Sequence, residues 1–452
     1  MQKTISAGAA ATDITPPTPQ FLYGYPHVER ISTGVHDPLL SSALFLSDGQ
    51  NRVLLIANDV IFISKALAQR VRSRIREKTG IPETSILIAA THTHSGPVTV
   101  DYISNASDPL VPPADRDYLD FLQDRIVEAA LNAVKNEQPA QIGLALADSS
   151  GIGTNRHHPG GPADPQTPVL LLRSKRNGQN LACLLVCSMH PTVLHEDSTL
   201  ISADFPGQTR KILQKQVLGA DCPLLHFTGP AGNQSPRHVI RGTTFAEAER
   251  LGGILAAAVT RSLDQMAFFA QAVLASRSHA IDLPRRPIPT LESAHKALQQ
   301  SIQVFKRIQE QKASPQEIRT AECDIFGAEE TLTLARAAEE NRLEAIYQSC
   351  LPAEIQLVQI GPWNFIAWPG EFFVEYALAV KKQCKNTFVI SLANGELQGY
   401  IVTPEAVENG YYEAGNALFA PQSGQLFIAE TMHLLNTIGD KSPCRGQREQ
   451  TD

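Results

Sequence analysis

Two histidines one residue apart, His92 and His94, lie in the segment Ala90-Thr91-His92-Thr93-His94-Ser95-Gly96-Pro97, directly after the apolar run Ile86-Leu87-Ile88. Imidazole is the commonest biological zinc ligand. Residues i and i+2 of an extended chain point to the same side. The pair is therefore expected to face one space at a strand's end, where α/β proteins place their sites. A hydrogen-bonded pair in a loop is the plain alternative. His190 likewise ends an apolar run, in Ser188-Met189-His190-Pro191-Thr192, with His195, Glu196, Asp197 and Asp204 behind it as further ligands or supporting partners. The stretch from Gly229 to Arg237 is a Gly-rich turn after a third apolar run, and the backbone N–H groups of such a turn can face a ligand. Ser235 within it offers a nucleophile or an oxyanion donor, although the GxSxG elbow is absent. Glu371 follows Trp368-Pro369-Gly370 and reads equally as a strand-end carboxylate or as the acid that opens a helix over Phe372–Val380. Tyr400 and Tyr412 fall in the loop-like stretch 394–412, where tyrosines usually pack.

The elements that must hold these residues are short apolar runs read as buried strands: 53–57, 85–90, 141–145, 169–173, 181–188, 224–228, 355–360, 365–368 and 387–392. Helical spacing appears at 66–78 and 118–134. The alternation predicts an α/β fold, a layered mixed-sheet core covered by helices. Between 291 and 337 the pattern changes. Leu291, Ala294, Leu298, Phe305 and Ile308, then Ile318, Ala321, Ile325, Ala328, Leu332 and Ala335, repeat at three and four, and Ser314-Pro315-Gln316-Glu317 has the form of a capping box. This predicts an antiparallel helical hairpin inserted at about 288–342 into one catalytic domain over 1–440. The hairpin is expected to be a packing surface or a site of self-association rather than part of the chemistry. The polar tail 441–452 is expected to fray.

Composition narrows the class. Of 452 residues, 43% are hydrophobic and 19% charged, with a net charge of -7. No long Lys/Arg run invites nucleic acid. Seven scattered cysteines, odd in number and without a CxxC pair, argue against a disulfide framework or a cysteine zinc site. The N-terminus has no continuous apolar core of secretory length, and the apolar stretch 53–63 is broken by Asn58 and Asp59, so no span is expected and a cytoplasmic location is.

Taken in order, THTHSGP, a strand ending in His190, the Gly-rich turn with Ser235-Pro236, Pro369-Gly370-Glu371, then Gly399-Tyr400 and Tyr412-Glu413 resemble the neutral/alkaline ceramidase family. Ala10–Pro16 (AATDITP) and Gly24-Tyr25 fit the same pattern. The resemblance implies a zinc hydrolase of amide bonds with His92, His190, Glu371 and Tyr400 as ligands. It implies His94 as the imidazole beside the metal, Ser235 and Tyr412 as catalytic residues, and Arg156 of Asn155-Arg156 near the substrate. Two histidines and a carboxylate leave zinc a position for a water whose pKa it lowers, and zinc polarises the acyl carbonyl that the water attacks. Direct attack by Ser235 is the other route.

Several positions depart from the family's pattern. Asn233 stands where an Asp is usual, Arg237 where an Asn is usual, and Pro191 where a Gly follows the strand-end His. His157-His158-Pro159-Gly160-Gly161 also differs from the usual continuation. The family's C-terminal β-sandwich domain does not fit within this length. The substrate is therefore expected to be a small N-acyl compound that need not be ceramide, with Arg237 suited to a carboxylate or phosphate. An esterase or lactonase using the same metal, and a non-catalytic metal- or ligand-binding relative, are the competing readings.

Overall fold

The computed structural model describes residues 4–25 and 27–438; the tail expected over 441–452 lies outside them. Nine strands form one mixed sheet, in the order Leu224–Thr228, Asn180–Cys187, Gln166–Ser174, Gln138–Asp148, Ser6–Asp13, Leu40–Ser47, Arg52–Asn58, Ile86–Ala90, with Phe268–Phe269 paired to the Gln138–Asp148 strand. Four more, Leu274–Ile281, Ala353–Ile360, Trp363–Ala367 and Thr387–Ile390, form a second sheet.

The apolar runs explain how the sheets stack. Along Arg52–Asn58, Leu54 and Ile56 pack with the helices Lys65–Thr79 and Arg116–Lys135, while Val53, Leu55 and Ala57 pack with the second sheet. Along Gln166–Ser174, Val169 and Leu171 meet the helices Asp204–Leu213 and Phe245–Leu263, while Leu170 and Leu172 face the second sheet. The second sheet repeats this: Val358 and Ile360 face inward, and Ile355 and Leu357 meet the cluster containing Tyr376 and Phe427 of helices Val374–Gln383 and Gln422–Asn436. Strand faces alternate with period two, so a strand apolar on both faces must be covered on both. The mixed α/β class is as predicted. The inner face of each sheet, however, is covered by the other sheet and not by helices, giving four layers, helix–sheet–sheet–helix.

Helices Leu291–Glu310 and Pro315–Glu339 lie between the paired strands Leu274–Ile281 and Ala353–Ile360. The capping box is formed: Ser314 Oγ accepts from the N–H of Glu317, and the Glu317 carboxylate accepts from the N–H of Ser314. The second of these helices does more than pack, as the cleft shows.

Candidate metal centre and substrate cleft

Three parallel strand pairs bring the site together: Arg52–Asn58 with Ile86–Ala90, Asn180–Cys187 with Leu224–Thr228, and Trp363–Ala367 with Thr387–Ile390. The segments leaving their carboxyl ends are stitched to one another. His92 N–H donates to Val60 O, Thr228 Oγ1 to Thr91 O, Ser391 N–H to Thr228 O, Leu392 N–H to Gly370 O, and Gly232 N–H to Phe372 O. A Cβ at position 232 would lie 2.9 Å from the Phe372 carbonyl, so this crossing requires glycine.

His92, His190 and Glu371 meet in this knot. His92 Nε2 lies 3.1 Å from His190 Nε2 and 3.2 Å from Glu371 Oε2, and His190 Nε2 lies 3.1 Å from the same oxygen. Around zinc with bonds near 2.0–2.1 Å, tetrahedral ligand atoms stand roughly 3.3 Å apart. The triangle has that size.

The other ring nitrogens set the tautomers. His92 Nδ1 is 3.0 Å from Ile61 O, and His190 Nδ1 is 2.6 Å from Ala231 O and 3.0 Å from Gln234 O. A carbonyl only accepts, so each Nδ1 carries the proton and each Nε2 presents a lone pair. Burial holds His190 down at about 4, so it is neutral at pH 7. Three acceptor atoms converge with no donor between them, which is the donor set of a divalent cation. His92 sits at φ 69°, a left-handed conformation unusual outside glycine, held by its N–H bond to Val60. That turn aims the ring. The strand ends at Ala90, so the i, i+2 geometry expected of His92 and His94 does not apply, although both reach the same space.

His94 stands on the cleft side of this triangle. Its Nε2 is 3.3 Å from His92 Nε2, and the three imidazoles offer nitrogens within 4.8 Å of one another. No close contact joins His94 to Glu371, so the carboxylate-closed triangle is the tighter set. His94 Nδ1 lies 3.0 Å from Gly24 O, and burial, then the neighbouring His92 and His190, hold its pKa well below the usual value. Gly24, at φ 122°, has no room for a side chain: a Cβ would lie 2.4 Å from His94 Nδ1. Gly24→Ala should displace this ring and cut turnover roughly 10- to 100-fold with metal content kept, as elemental analysis beside a rate assay would show.

A cleft open to solvent rises from the centre past His94, Arg156, Ser235, Tyr400 and Tyr412. Tyr400 pairs in register with Glu371 across a two-residue parallel bridge, and the Arg156 guanidinium lies 5.4 Å from the centre of its ring. Burial, then Glu371, keeps that phenol's pKa high. Arg156 stacks 4.9 Å from the Tyr412 ring and donates from Nε to Glu413 Oε1 at 2.7 Å. Its N–H bonds to Asn233 O, tying it to the Ser235 loop. Ser235 Oγ accepts from the N–H of Arg237 at 3.3 Å.

The departures from the family pattern have separate fates. Asn233 gives its amide N–H groups to Glu375 at 2.8 and 3.1 Å and accepts from Val374 N–H at 3.0 Å, so an Asp here would face the Glu375 carboxylate. His157 stacks on Tyr411 and bonds Glu413 at 2.8 Å, and His158 bonds the Tyr411 hydroxyl at 2.8 Å. Neither lines the main cleft; Arg237 does. The helix Pro315–Glu339, expected to be a packing surface or a site of self-association, supplies Arg319, Cys323, Phe326 and Glu330 to the cleft wall. Burial lifts Glu330 to about 7 against donation from Asn416 and Asn105. The 3-4 spacing and the capping box marked this helix, and neither says which face lines a cavity.

Residues 5–223 match the family described as neutral/alkaline non-lysosomal ceramidase, N-terminal. A neutral ceramidase of Mycobacterium tuberculosis is 27% identical over 239 residues, 48% of this chain and 37% of that protein. Neutral ceramidase B of Dictyostelium discoideum is 24% identical over 229 residues, 47% and 32% of the two chains. The matched stretch thus spans about a third of the length of these relatives. The crystal structure of neutral ceramidase from Pseudomonas aeruginosa is similar in fold, with a TM-score of 0.73 at 19% identity over 98% of this chain and 76% of that one. The family resemblance drawn from the motifs and the mixed α/β class drawn from the alternating elements are borne out.

Proposed function

We propose that this relative of the neutral/alkaline ceramidases is a zinc-dependent hydrolase that cleaves an amide (N-acyl) bond. The observation that carries the reading is the buried triangle of His92, His190 and Glu371, with both imidazole Nδ1 atoms turned to backbone carbonyls. Tyr400, beside Glu371, is a candidate fourth ligand. A divalent zinc in this triangle would supply a Lewis acid for the acyl carbonyl and would acidify a water.

The chain's own residues do the rest. Charge developing on the carbonyl oxygen falls near the Tyr412 hydroxyl, whose ring Arg156 holds from behind. His94, neutral and fixed at Nδ1 by Gly24, lines the cleft with its Nε2 beside the triangle, and is placed to take a proton and pass it to the leaving nitrogen. Ser235 has no imidazole within hydrogen-bond distance among the described residues, and its oxygen already accepts from Arg237. It therefore lacks the base that activates a nucleophilic serine, and water is the attacking group, with Ser235 a donor in the cleft.

The reading is tested with a panel of N-acyl and matching O-acyl compounds, scored for release of free amine or alcohol. Amide turnover that chelator abolishes and zinc restores is expected; metal-independent turnover, or turnover of esters alone, would overturn it. Ser235→Ala should retain measurable activity, lowered roughly 10- to 100-fold as for one lost donor. Loss to background together with a trapped acyl-serine on the native chain would show that serine is the nucleophile.

A further inference from the structure

Three arginines line the cleft: Arg156, Arg237 and Arg319. Two are neutralised. Arg156 is paired with Glu413, and Arg319 reaches Glu196 at 2.9 and 3.2 Å and Glu322 at 2.6 Å. Arg237 is not. Its guanidinium donates to Thr320 Oγ1 and Cys323 Sγ, each at 3.2 Å, and among the described residues no carboxylate lies within ion-pair distance of it. Asp324, one residue beyond Cys323, is close enough to feel its charge but makes no ion pair with it. His195 adds no charge beside it, since burial and then Arg319 hold that imidazole down at about 4. Arg30, wholly buried behind Tyr25, spends its donors on the carbonyls of Leu22, His94, His195 and Ser198.

The position of Arg237 is fixed. Pro236 precedes it in a short 3-10 turn that Ser235 Oγ caps, and His238 anchors the turn's end on Arg156 O at 3.0 Å. The same loop supplies the Ala231 and Gln234 carbonyls that orient His190. One rigid turn therefore sets the distance between a guanidinium and the metal triangle. A half-buried cation held only by a hydroxyl and a thiol keeps donors free, and a planar guanidinium matches a carboxylate.

We infer that Arg237 is the anion-binding residue of the cleft and that the substrate is an N-acyl compound carrying one carboxylate on the part that reaches it. This rests on the amide-hydrolase reading of the same cleft. A single uncompensated cation matches a monoanion better than a phosphate dianion.

The test compares N-dodecanoylglycine with its uncharged near-isostere N-dodecanoylglycinamide. Binding to the full chain is read by calorimetry and hydrolysis by release of free amine. The acid should be preferred roughly 10- to 100-fold. The preference should collapse towards one in Arg237→Asn and return in part in Arg237→Lys, with metal content as the control for folding. A wild-type preference near one, a preference unchanged in Arg237→Asn, or binding of neither compound would overturn the inference. Selective binding of the acid without release of amine would leave the anion subsite standing and would instead sink the hydrolase reading.

Discussion

Glu371→Gln is expected to lower amide turnover by roughly 10³-fold or more, the several kcal/mol that a positioned Lewis acid contributes, and to lower metal content with it. The carboxylate is 6% exposed and touches both imidazoles through one oxygen, Oε2. Glutamine keeps the shape and removes the charge. If its N–H replaces that oxygen, it becomes a donor to two lone pairs that would otherwise hold a cation. His190→Ala should do the same by opening the triangle. Zinc titration followed by a rate assay separates the two parts of the effect: excess zinc should recover some activity in Glu371→Gln and none in His190→Ala. Full activity of either variant in the presence of chelator would contradict the assignment.

Arg156→Met carries the second large effect, and it falls on stability as well as on rate. Glu413 is wholly buried, and its charge is met by Arg156 at 2.7 Å and His157 at 2.8 Å. Removing one partner of a buried pair strands the other, a cost of roughly 3–5 kcal/mol. Burial opposes ionisation of Glu413, but Arg156 and His157 win and hold its carboxyl below the ordinary range. The folded value is depressed, so this contribution is fully present above the ordinary carboxylate pKa of about 4.3. It is lost as pH falls through the lower folded value. Denaturant midpoints at pH 7 and pH 4 should therefore show a large gap between wild type and variant at pH 7 that narrows at pH 4. A gap below about 1 kcal/mol at pH 7, the range of exposed pairs, would show that the pair contributes no more than a surface ion pair.

What the chain's letters reveal follows from the physics each feature uses. The runs ending at Ala90, Cys187, Thr228 and Ala367 are legible because strands covered on both faces must be apolar throughout, and the reactive residues stand just beyond them. The cap at Ser314 is legible because its bonds are local. Ser6–Asp13 is not: its sequence SAGAAATD carries little strand propensity. It is small because it passes close under the helix Arg116–Lys135, where a Cβ on Gly8 would lie 2.2 Å from Ala133 O. The stacking of two sheets is also hidden, since an apolar run does not say whether a helix or a sheet covers it. The face of Pro315–Glu339 that carries Arg319, Cys323, Phe326 and Glu330 is hidden for the same reason, because its polar residues look like any solvated face until the cleft is seen behind them. The tautomers of His92 and His190 depend on carbonyls of Ile61, Ala231 and Gln234, set by backbone crossings that no spacing encodes.

The most direct test of the central claim is anomalous diffraction from crystals of the purified chain, collected on both sides of the zinc absorption edge. The account predicts one peak per chain, present above the edge and absent below it, about 2.0–2.2 Å from His92 Nε2, His190 Nε2 and a Glu371 carboxylate oxygen. No peak at that triangle, in a chain that still releases amine from an N-acyl substrate, would contradict it.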